Sequence, residues 1–401
     1  MQIETGQGKI TLRTLVSVWT ISAIISLPGL AVSPILGSLT KIFPDATKLE
    51  IEMLSSIPSL LIIPFILLSG YLSVGYNKVR MLIIGLIIFL ISGSLCIFAT
   101  SIGELIILST ILGAGAGMII PLSTGFIAEF FVGKYRTAQL GISSAIANLT
   151  LVIATLVTGW LAGVNWHLPF VVYLLPVFAL IMARFLEKPA ISPEKQAQIN
   201  DAKMANTVVK PGRNYNFGAL AGTMLLYLVA GYVAVIVILN LSFIVPDSTT
   251  SGILTSLLFL AIMAPGLGMN RLRKFYGRFA VAYSLAMIAA GLLIIVLLPH
   301  TIPIGAAVLL VGFGYGFIQP LVYDKATQTS TPKGTIVTLA WVMAINYLTI
   351  VIAPFIVTLL NEIFATKNDS MAPFLICSIL AIIAAAWAAI RSRHFVFSIE
   401  Q

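Results

Sequence analysis

The sequence predicts an all-α integral membrane protein, with twelve transmembrane helices arranged as two pseudo-symmetric six-helix bundles. Composition is the first reason: 59% of the 401 residues are hydrophobic, 9% are charged, and the mean hydropathy is +1.05. Soluble domains carry about 25% charged residues, so this chain cannot cover a water-soluble surface. Apolar stretches recur along the whole length, and each is long enough to cross a hydrocarbon layer of roughly 30 Å.

We number these stretches as spans 1 to 12. The first lacks a small-residue cleavage site and is longer than a signal-peptide core, so we expect it to be retained. Cys96 and Cys377 both fall inside predicted spans, which predicts neither a disulfide nor a metal site. The predicted limits of the twelve spans are 15–38, 51–73, 79–100, 103–128, 137–162, 168–186, 216–244, 252–269, 279–298, 302–323, 335–361 and 371–390.

The placement of the basic residues predicts the orientation. The net charge is +9, and 20 of the 23 Lys and Arg residues fall in the N-terminus, the C-terminus and the loops that follow even-numbered spans. Only Lys41, Lys48 and Lys367 fall on the other side. This positive-inside asymmetry predicts a multi-pass protein of the plasma membrane, in bacteria the cytoplasmic membrane, with both termini in the cytoplasm. The excess positive charge therefore predicts contact with membrane lipid and no nucleic-acid partner.

An internal repeat predicts the division into two halves. At a shift of 199 residues, Gly113, Gly115, Gly117 and Pro121 of span 4 align with Gly312, Gly314, Gly316 and Pro320 of span 10. A block of span 5, from Leu149 to Ala154, aligns with span 11 at the same shift. Two repeats of the same orientation are typical of transporters whose halves rock about a central site. We predict an N-terminal bundle at 1–188, a cytoplasmic linker at 189–215 and a C-terminal bundle at 216–401.

The loop between spans 2 and 3 carries a partial motif. Gly70 is followed by the basic residues Lys78 and Arg80. This pattern resembles a signature of the major facilitator superfamily, Gly-x-x-x-Asp-Arg/Lys-x-Gly-Arg/Lys-x-Arg/Lys. Val74 stands at the position of the acid in that signature. The resemblance covers essentially the whole chain. In that family the loop forms a cytoplasmic gate, so the resemblance implies a gating role for Gly70, Lys78 and Arg80. Four residues resemble recurrent positions of its twelve-helix drug/proton antiporter branch, namely Trp166, His167 and Phe170 after span 5 and Arg136 after span 4. The antiporter motif of span 5 itself is degenerate.

Three acids near the span ends are candidates for proton coupling, because an ionisable residue within a membrane is functional by default. Asp324, at the inner end of span 10, either couples protons or sits at the interface beside Lys325. Glu129, at the inner end of span 4, either couples protons or forms a loop ion pair near Lys134 and Arg136. Glu52, at the start of span 2, either couples protons or begins its helix in a solvated loop.

Polar residues in the spans that line the family's cavity are candidates for binding substrate. Each of them could instead hold neighbouring helices together. Lys and Arg are absent from the middle of the predicted spans, which disfavours small anions as substrates and favours neutral, amphipathic or cationic ones. The candidates are Tyr232, Asn240, Tyr315, Gln319 and Asn346, with Met118 and Phe317 as apolar wall.

The sequence thus predicts a transporter and not an enzyme, since no cluster of His or acids lies within a span. The leading hypothesis is a proton-coupled exporter of small amphipathic compounds that works by alternating access. The alternatives are a dedicated metabolite carrier, such as a siderophore exporter or a neutral sugar transporter, and a receptor that has lost transport. We expect a small-molecule substrate and protons as partners, no metal and no cofactor, and, by resemblance, a monomer.

Overall fold

A computed structural model shows a protein built almost entirely of helices. It describes residues 2–6, 8–72, 76–186, 190–191, 217–328, 335–363 and 370–393, apart from some side chains within these ranges, among them that of Asp324. Within the described residues, ten helices are long and apolar enough to cross a membrane, and spans 1 and 6 are made of shorter apolar helices. The predicted fold of twelve spans in two bundles is confirmed.

The helices extend beyond several of the predicted limits. Spans 8 and 10 continue for more than one extra turn at their ends, since amphipathic turns carrying Lys and Arg do not register in an apolar window. In chain order the spans are Leu12–Ile24 with Leu36–Ile42, Lys48–Ser56 with Pro58–Leu72, Lys78–Cys96, Ile102–Phe130, Gly133–Val164, Pro176–Ala183, Phe217–Ile244, Ser248–Tyr276, Ala280–Leu297, Thr301–Gln328, Thr335–Ile363 and Ala372–Ile390.

The prediction of a continuous span 1 is wrong. Its first helix ends at Ile24, and a 3-10 helix follows at Leu30–Ile35. Between them Gly29 adopts a φ of 75°, and a Cβ there would collide with the carbonyl of Ser55 in span 2. Pro28 removes a backbone donor just before this point. The break therefore follows from a proline beside a glycine that packs directly on a neighbouring backbone.

Span 6 also departs from the prediction of one helix. It begins with a 3-10 helix at Leu168–Leu174 and becomes α-helical only at Pro176. Pro169 and Pro176 stand at the first turn of each segment, where a proline does not cost a hydrogen bond. The two 3-10 segments of spans 1 and 6 lie next to each other.

The glycine repeat marks equivalent helix crossings in the two bundles. A Cβ on Gly115 would lie 2.7 Å from the carbonyl oxygen of Gly85 in span 3, and one on Gly314 would lie 2.5 Å from that of Ser284 in span 9. Gly113 and Gly117 approach span 2 in the same way, as Gly312 and Gly316 approach span 8. Such close backbone contact is the usual reason for small residues in membrane helices. The two bundles thus share one packing scheme.

Each bundle has its own apolar core, and a small sheet covers one end of the N-terminal bundle. The strands β1 (Gln2–Glu4), β2 (Gly8–Thr11) and β3 (Ala190–Ile191) are antiparallel. These strands were not predicted, because strands of two to four residues leave no recognisable pattern of apolar residues in the sequence. Apart from β3, the predicted linker at 189–215 lies outside the described residues, so the proposed domain limits remain a prediction.

Candidate functional site

The two bundles press together at the end opposite the termini. We call this the outer end, and the end that carries the termini the inner end, after the predicted orientation. Spans 1 and 7 meet there backbone to backbone: the Gly37 amide donates to Ser242 Oγ at 3.0 Å, and a Cβ on Gly37 would collide with the Ser242 carbonyl. No larger residue than glycine fits this contact.

Spans 5 and 8 form a second contact between the bundles at the outer end. A Cβ on Gly159 would lie 2.5 Å from the carbonyl oxygen of Ser248 and 2.8 Å from Cα of Gly252. Conversely, a Cβ on Gly252 would lie 2.5 Å from the Thr155 carbonyl oxygen. Thr249 Oγ1 donates to the Gly159 carbonyl at 3.3 Å. Two glycines facing each other therefore set the separation of these spans.

A buried acid lies beside these contacts. The Glu52 side chain is 2% exposed, and its Oε1 stands 3.6 Å from Nζ of Lys48, one helical turn earlier. Lys48 Nζ also lies 4.9 Å from the ring centre of Phe243, which belongs to span 7. Lys48 thus links an acid of the N-terminal bundle to an aromatic ring of the C-terminal bundle, an arrangement that a cation–π attraction stabilises.

The solvated, helix-starting alternative for Glu52 is wrong. The capping role belongs to Thr47 and Glu50, which form a reciprocal capping box: Thr47 N donates to Glu50 Oε2 at 2.7 Å, and Glu50 N donates to Thr47 Oγ1 at 3.2 Å. Glu52 lies on the opposite, buried face of the same short helix. Its charge is therefore taken out of water with one cation at ion-pair distance, which is costly unless the carboxyl is paired or protonated.

Two predicted substrate residues lie in the same region as Glu52. Tyr232 is 5% exposed and within electrostatic range of Glu52, and Asn240 is fully buried. Among the described residues, neither Asn240 amide atom nor the Glu52 Oε1 atom has a hydrogen-bond partner. Unpartnered buried polar atoms each cost about 1–3 kcal/mol. The outer part of the molecule thus holds buried polar atoms that lack a hydrogen-bond partner among the described residues.

A second cluster lies deeper in the C-terminal bundle. Tyr315 donates from its hydroxyl to Asn346 Oδ1 at 3.0 Å and lies 3.3 Å from the hydroxyl of Tyr227. The hydroxyl of Tyr227 in turn lies 3.3 Å from that of Tyr323. Gln319 is half-buried and hydrogen-bonds Tyr323. Spans 7, 10 and 11 thus bring three tyrosines and two amides together.

The structure groups some predicted residues and separates others. It joins Tyr315, Gln319 and Asn346, whereas Cβ of Met118 lies beside Gly85 at the crossing of spans 3 and 4. Phe317 is fully buried against Tyr276. The side chain of Asp324 lies outside the described part of the chain, so its coupling role stays a prediction.

Two residues of this cluster were not predicted from the sequence, and the position of a third residue, Lys325, was predicted wrongly. Tyr227 and Tyr323 complete the tyrosine cluster, and their positions in spans 7 and 10, five residues before Tyr232 and eight after Tyr315, could have drawn attention to them. Lys325 was assigned to a loop, but the helix continues to Gln328 and the residue is only 4% exposed. A buried lysine at the inner end of span 10 could not be inferred without knowing where the helix ends.

An ion pair lies at the inner end, beside the loop for which a gating role is predicted. Lys78 Nζ donates to Glu129 Oε2 at 2.8 Å, joining the start of span 3 to the end of span 4. The expected ion pair of Glu129 is therefore present, with Lys78 as the partner that the structure shows. Gly70 and Arg80 are exposed at the same end.

Exchanging the two charges of this pair tests its role. We expect Lys78→Glu or Glu129→Lys alone to slow transport, because each places like charges together, and the double exchange to restore most of the rate. Both side chains are partly exposed, so the effect on unfolding is expected to be below about 1 kcal/mol. Transport rate and thermal unfolding in detergent would be measured for all four proteins. Failure of the double exchange to recover either single variant would contradict the pairing.

Comparison with known families agrees with this architecture. The model of the Major Facilitator Superfamily matches residues 14–339. The chain belongs to this superfamily. Members are transporters and not enzymes, as the sequence analysis predicted.

Curated relatives of the chain include a protein named as a multidrug transporter and one named for transport of cis,cis-muconate. The chain is 33% identical over 117 residues to the multidrug transporter protein MdtP of Bacillus subtilis, a match covering 29% of this chain and 21% of that protein. It is 26% identical over 174 residues to the cis,cis-muconate transport protein of Acinetobacter baylyi, covering 41% and 42%. The chain therefore matches only about a fifth to two fifths of the length of these curated relatives.

Solved structures show the same fold at low identity. The inward-open xylose transporter XylE from E. coli superposes with a TM-score of 0.73 at 13% identity, covering 94% of each chain. A POT family transporter in complex with 5-aminolevulinic acid gives 0.75 at 11% identity, covering 96% of each. At such identities the likeness concerns the fold alone.

Proposed function

We propose that this superfamily transporter exports small amphipathic compounds in exchange for protons. The observation that carries the proposal is Glu52, a carboxyl buried at the contact between the bundles, with a bridging lysine as its ion partner. A carboxyl group tends to take up a proton when it is buried and to release it when it is exposed to water. Such a group can therefore couple proton movement to the opening and closing of an interface.

The chemistry of the C-terminal cluster supports the substrate class. Tyr227, Tyr315 and Tyr323 offer ring faces and hydroxyls, and Asn346 and Gln319 add amide groups. Tyr227 and Tyr315 are buried in this conformation, and groups of this kind suit molecules with an apolar body and a few polar or cationic groups. The similarity to proteins named for multidrug transport or multidrug resistance supports the same class.

A dedicated metabolite carrier is the second candidate, and two observations favour it. Lys325 is buried at the inner end of span 10, and one relative is named for transport of cis,cis-muconate. Muconate is a dicarboxylate, and a buried ammonium group is a suitable partner for a carboxylate. In this case the substrate would be an organic acid.

Reconstituted liposomes distinguish the two candidates. The full-length protein would be incorporated with a pH-sensitive dye inside, and a lipophilic cation, a dicarboxylate or a neutral sugar would be added outside. Proton movement driven by the lipophilic cation alone supports export by exchange, and movement driven by the dicarboxylate alone supports the metabolite carrier. If none of these compounds moves protons, the proposal that transport of such compounds is coupled to protons is contradicted.

A further inference from the structure

An apolar groove of about 480 Å³ lies on the N-terminal bundle, away from the interface between the bundles. Spans 1, 5 and 6 form its walls, at positions near the middle of spans 1 and 5. The breaks described above create it, because the first helix of span 1 ends at Ile24 and span 6 begins as a 3-10 helix. Its walls include Ala23, Ile24, Ile153, Val157, Val171 and Phe178.

The groove opens sideways, toward the surroundings of the bundle. Phe178 is 64% exposed, Ile153 is 54% exposed and Val171 is 39% exposed, and all three lie on membrane-spanning segments. Ile153 and Phe178 lie well inside their spans, where exposed apolar side chains face hydrocarbon and not water. Whatever fills the groove therefore comes from the hydrocarbon layer.

The groove has no free polar group with which to orient a drug-sized molecule. Its polar side chains are Thr20 and Thr150, and both hydroxyls already donate to carbonyls of their own helices, to Ser17 and to Ile146, each at 2.8 Å. Sites for small molecules usually combine apolar walls with a few placed polar groups. An occupant without polar groups fits these walls better than an amphipathic compound does.

We propose that this groove binds an acyl chain of a membrane phospholipid. The volume lies within the range of about 300–1,000 Å³ that is usual for small-molecule sites, so a substantial part of a chain can enter. The headgroup stays at the membrane surface, because the groove lies at mid-depth and holds no charged residue. The inference does not depend on the transported substrate or on protons.

The position of the groove connects it with the contact between the bundles. Ala154 and Val157 line it, and the opposite face of span 5 carries Thr155 and Gly159, which touch span 8. An acyl chain in the groove therefore packs against the back of the helix that closes the outer end. Lipid occupancy is expected to support the packing of spans 1, 5 and 6 on that helix.

Photo-cross-linking in lipid nanodiscs tests the site. The full-length protein would be placed with a phospholipid that carries a diazirine in the middle of one acyl chain, and labelled peptides would be quantified. We expect labelling around Ile153 and Phe178 to exceed that around Ile383 by roughly tenfold, the ratio given by a modest binding preference. Ile383 is the control because it is 61% exposed on span 12 and faces hydrocarbon as well.

Two substitutions that fill the groove make the test specific. Ala23→Phe and Val171→Trp should each remove the excess labelling, whereas Ile383→Trp should leave it unchanged. Equal labelling at all exposed apolar positions would overturn the proposal, and so would excess labelling that survives both substitutions. A lipophilic cation could also displace the lipid probe from the groove without changing the labelling at Ile383. That result would overturn the proposal and assign the groove to the transported substrate.

Discussion

Replacing Glu52 by Gln is expected to abolish proton movement driven by substrate in liposomes. Gln has nearly the same shape as protonated Glu but cannot release a proton, so the variant would stay in the neutral state through every step. Lys48 is 35% exposed and retains Phe243 as a neighbour, so loss of the acid should not leave an isolated buried charge. The protein is therefore expected to fold and to bind substrate.

Two further measurements separate a coupling role from a structural one. Exchange of labelled for unlabelled substrate needs no net proton movement, and it should persist in Glu52→Gln. Asp45→Asn is the matched control, since Asp45 is an exposed acid in the loop just before the same helix, and it should behave like the unmodified protein. Normal proton movement in Glu52→Gln would eliminate Glu52 as the coupling acid and leave Asp324 as the next candidate.

The sequence was sufficient for the fold but not for the contacts between helices. Twelve spans and the repeat followed from apolar length and from the constant shift of 199 residues, and the Gly115 and Gly314 crossings confirm that reading. The breaks in spans 1 and 6 were missed, because prolines are common in membrane helices and many do not end them. Only the contact of Gly29 with the Ser55 carbonyl explains why span 1 stops there.

The candidate site could be predicted only in part for the same reason. Tyr315 and Asn346 were named separately, but the hydrogen bond between them depends on which face each span turns inward. The two alternatives for Glu52 were proton coupling and the start of a helix in a solvated loop. Its burial, together with a capping box that satisfies the helix start without it, excludes the second alternative. Gly37 and Gly159 carry no local signal of their roles, since a contact across bundles links residues about 90 to 205 positions apart.

Replacing Gly159 by Val is expected to hold the outer end open. The added side chain would overlap the Ser248 carbonyl and the Gly252 backbone, and both belong to the other bundle. Overpacking of this kind costs about 1–3 kcal/mol, and the cost falls only on the conformation in which the bundles touch. A bias of that size changes the ratio of two conformations by about 5- to 150-fold. Transport should fall because the protein must pass through the closed state in every cycle.

Labelling from the outer side measures this shift directly. Ser251 of span 8 is buried and would be replaced by Cys in a protein whose own Cys96 and Cys377 are replaced by Ser. This single cysteine should react slowly with a membrane-impermeant thiol reagent. It should react much faster when Gly159→Val is added. Gly163→Val is the matched control, because it lies one turn further along span 5, where a Cβ meets only Thr249 Oγ1 at an ordinary 3.6 Å. Equal reactivity with Val at positions 159 and 163 would mean that the glycine contact does not limit opening. Faster labelling confined to Gly159→Val would identify the contact of spans 5 and 8 as a closure point of the outer end. Gly159 and Gly163 lie one turn apart on the same helix, and only Gly159 packs against the backbone of span 8.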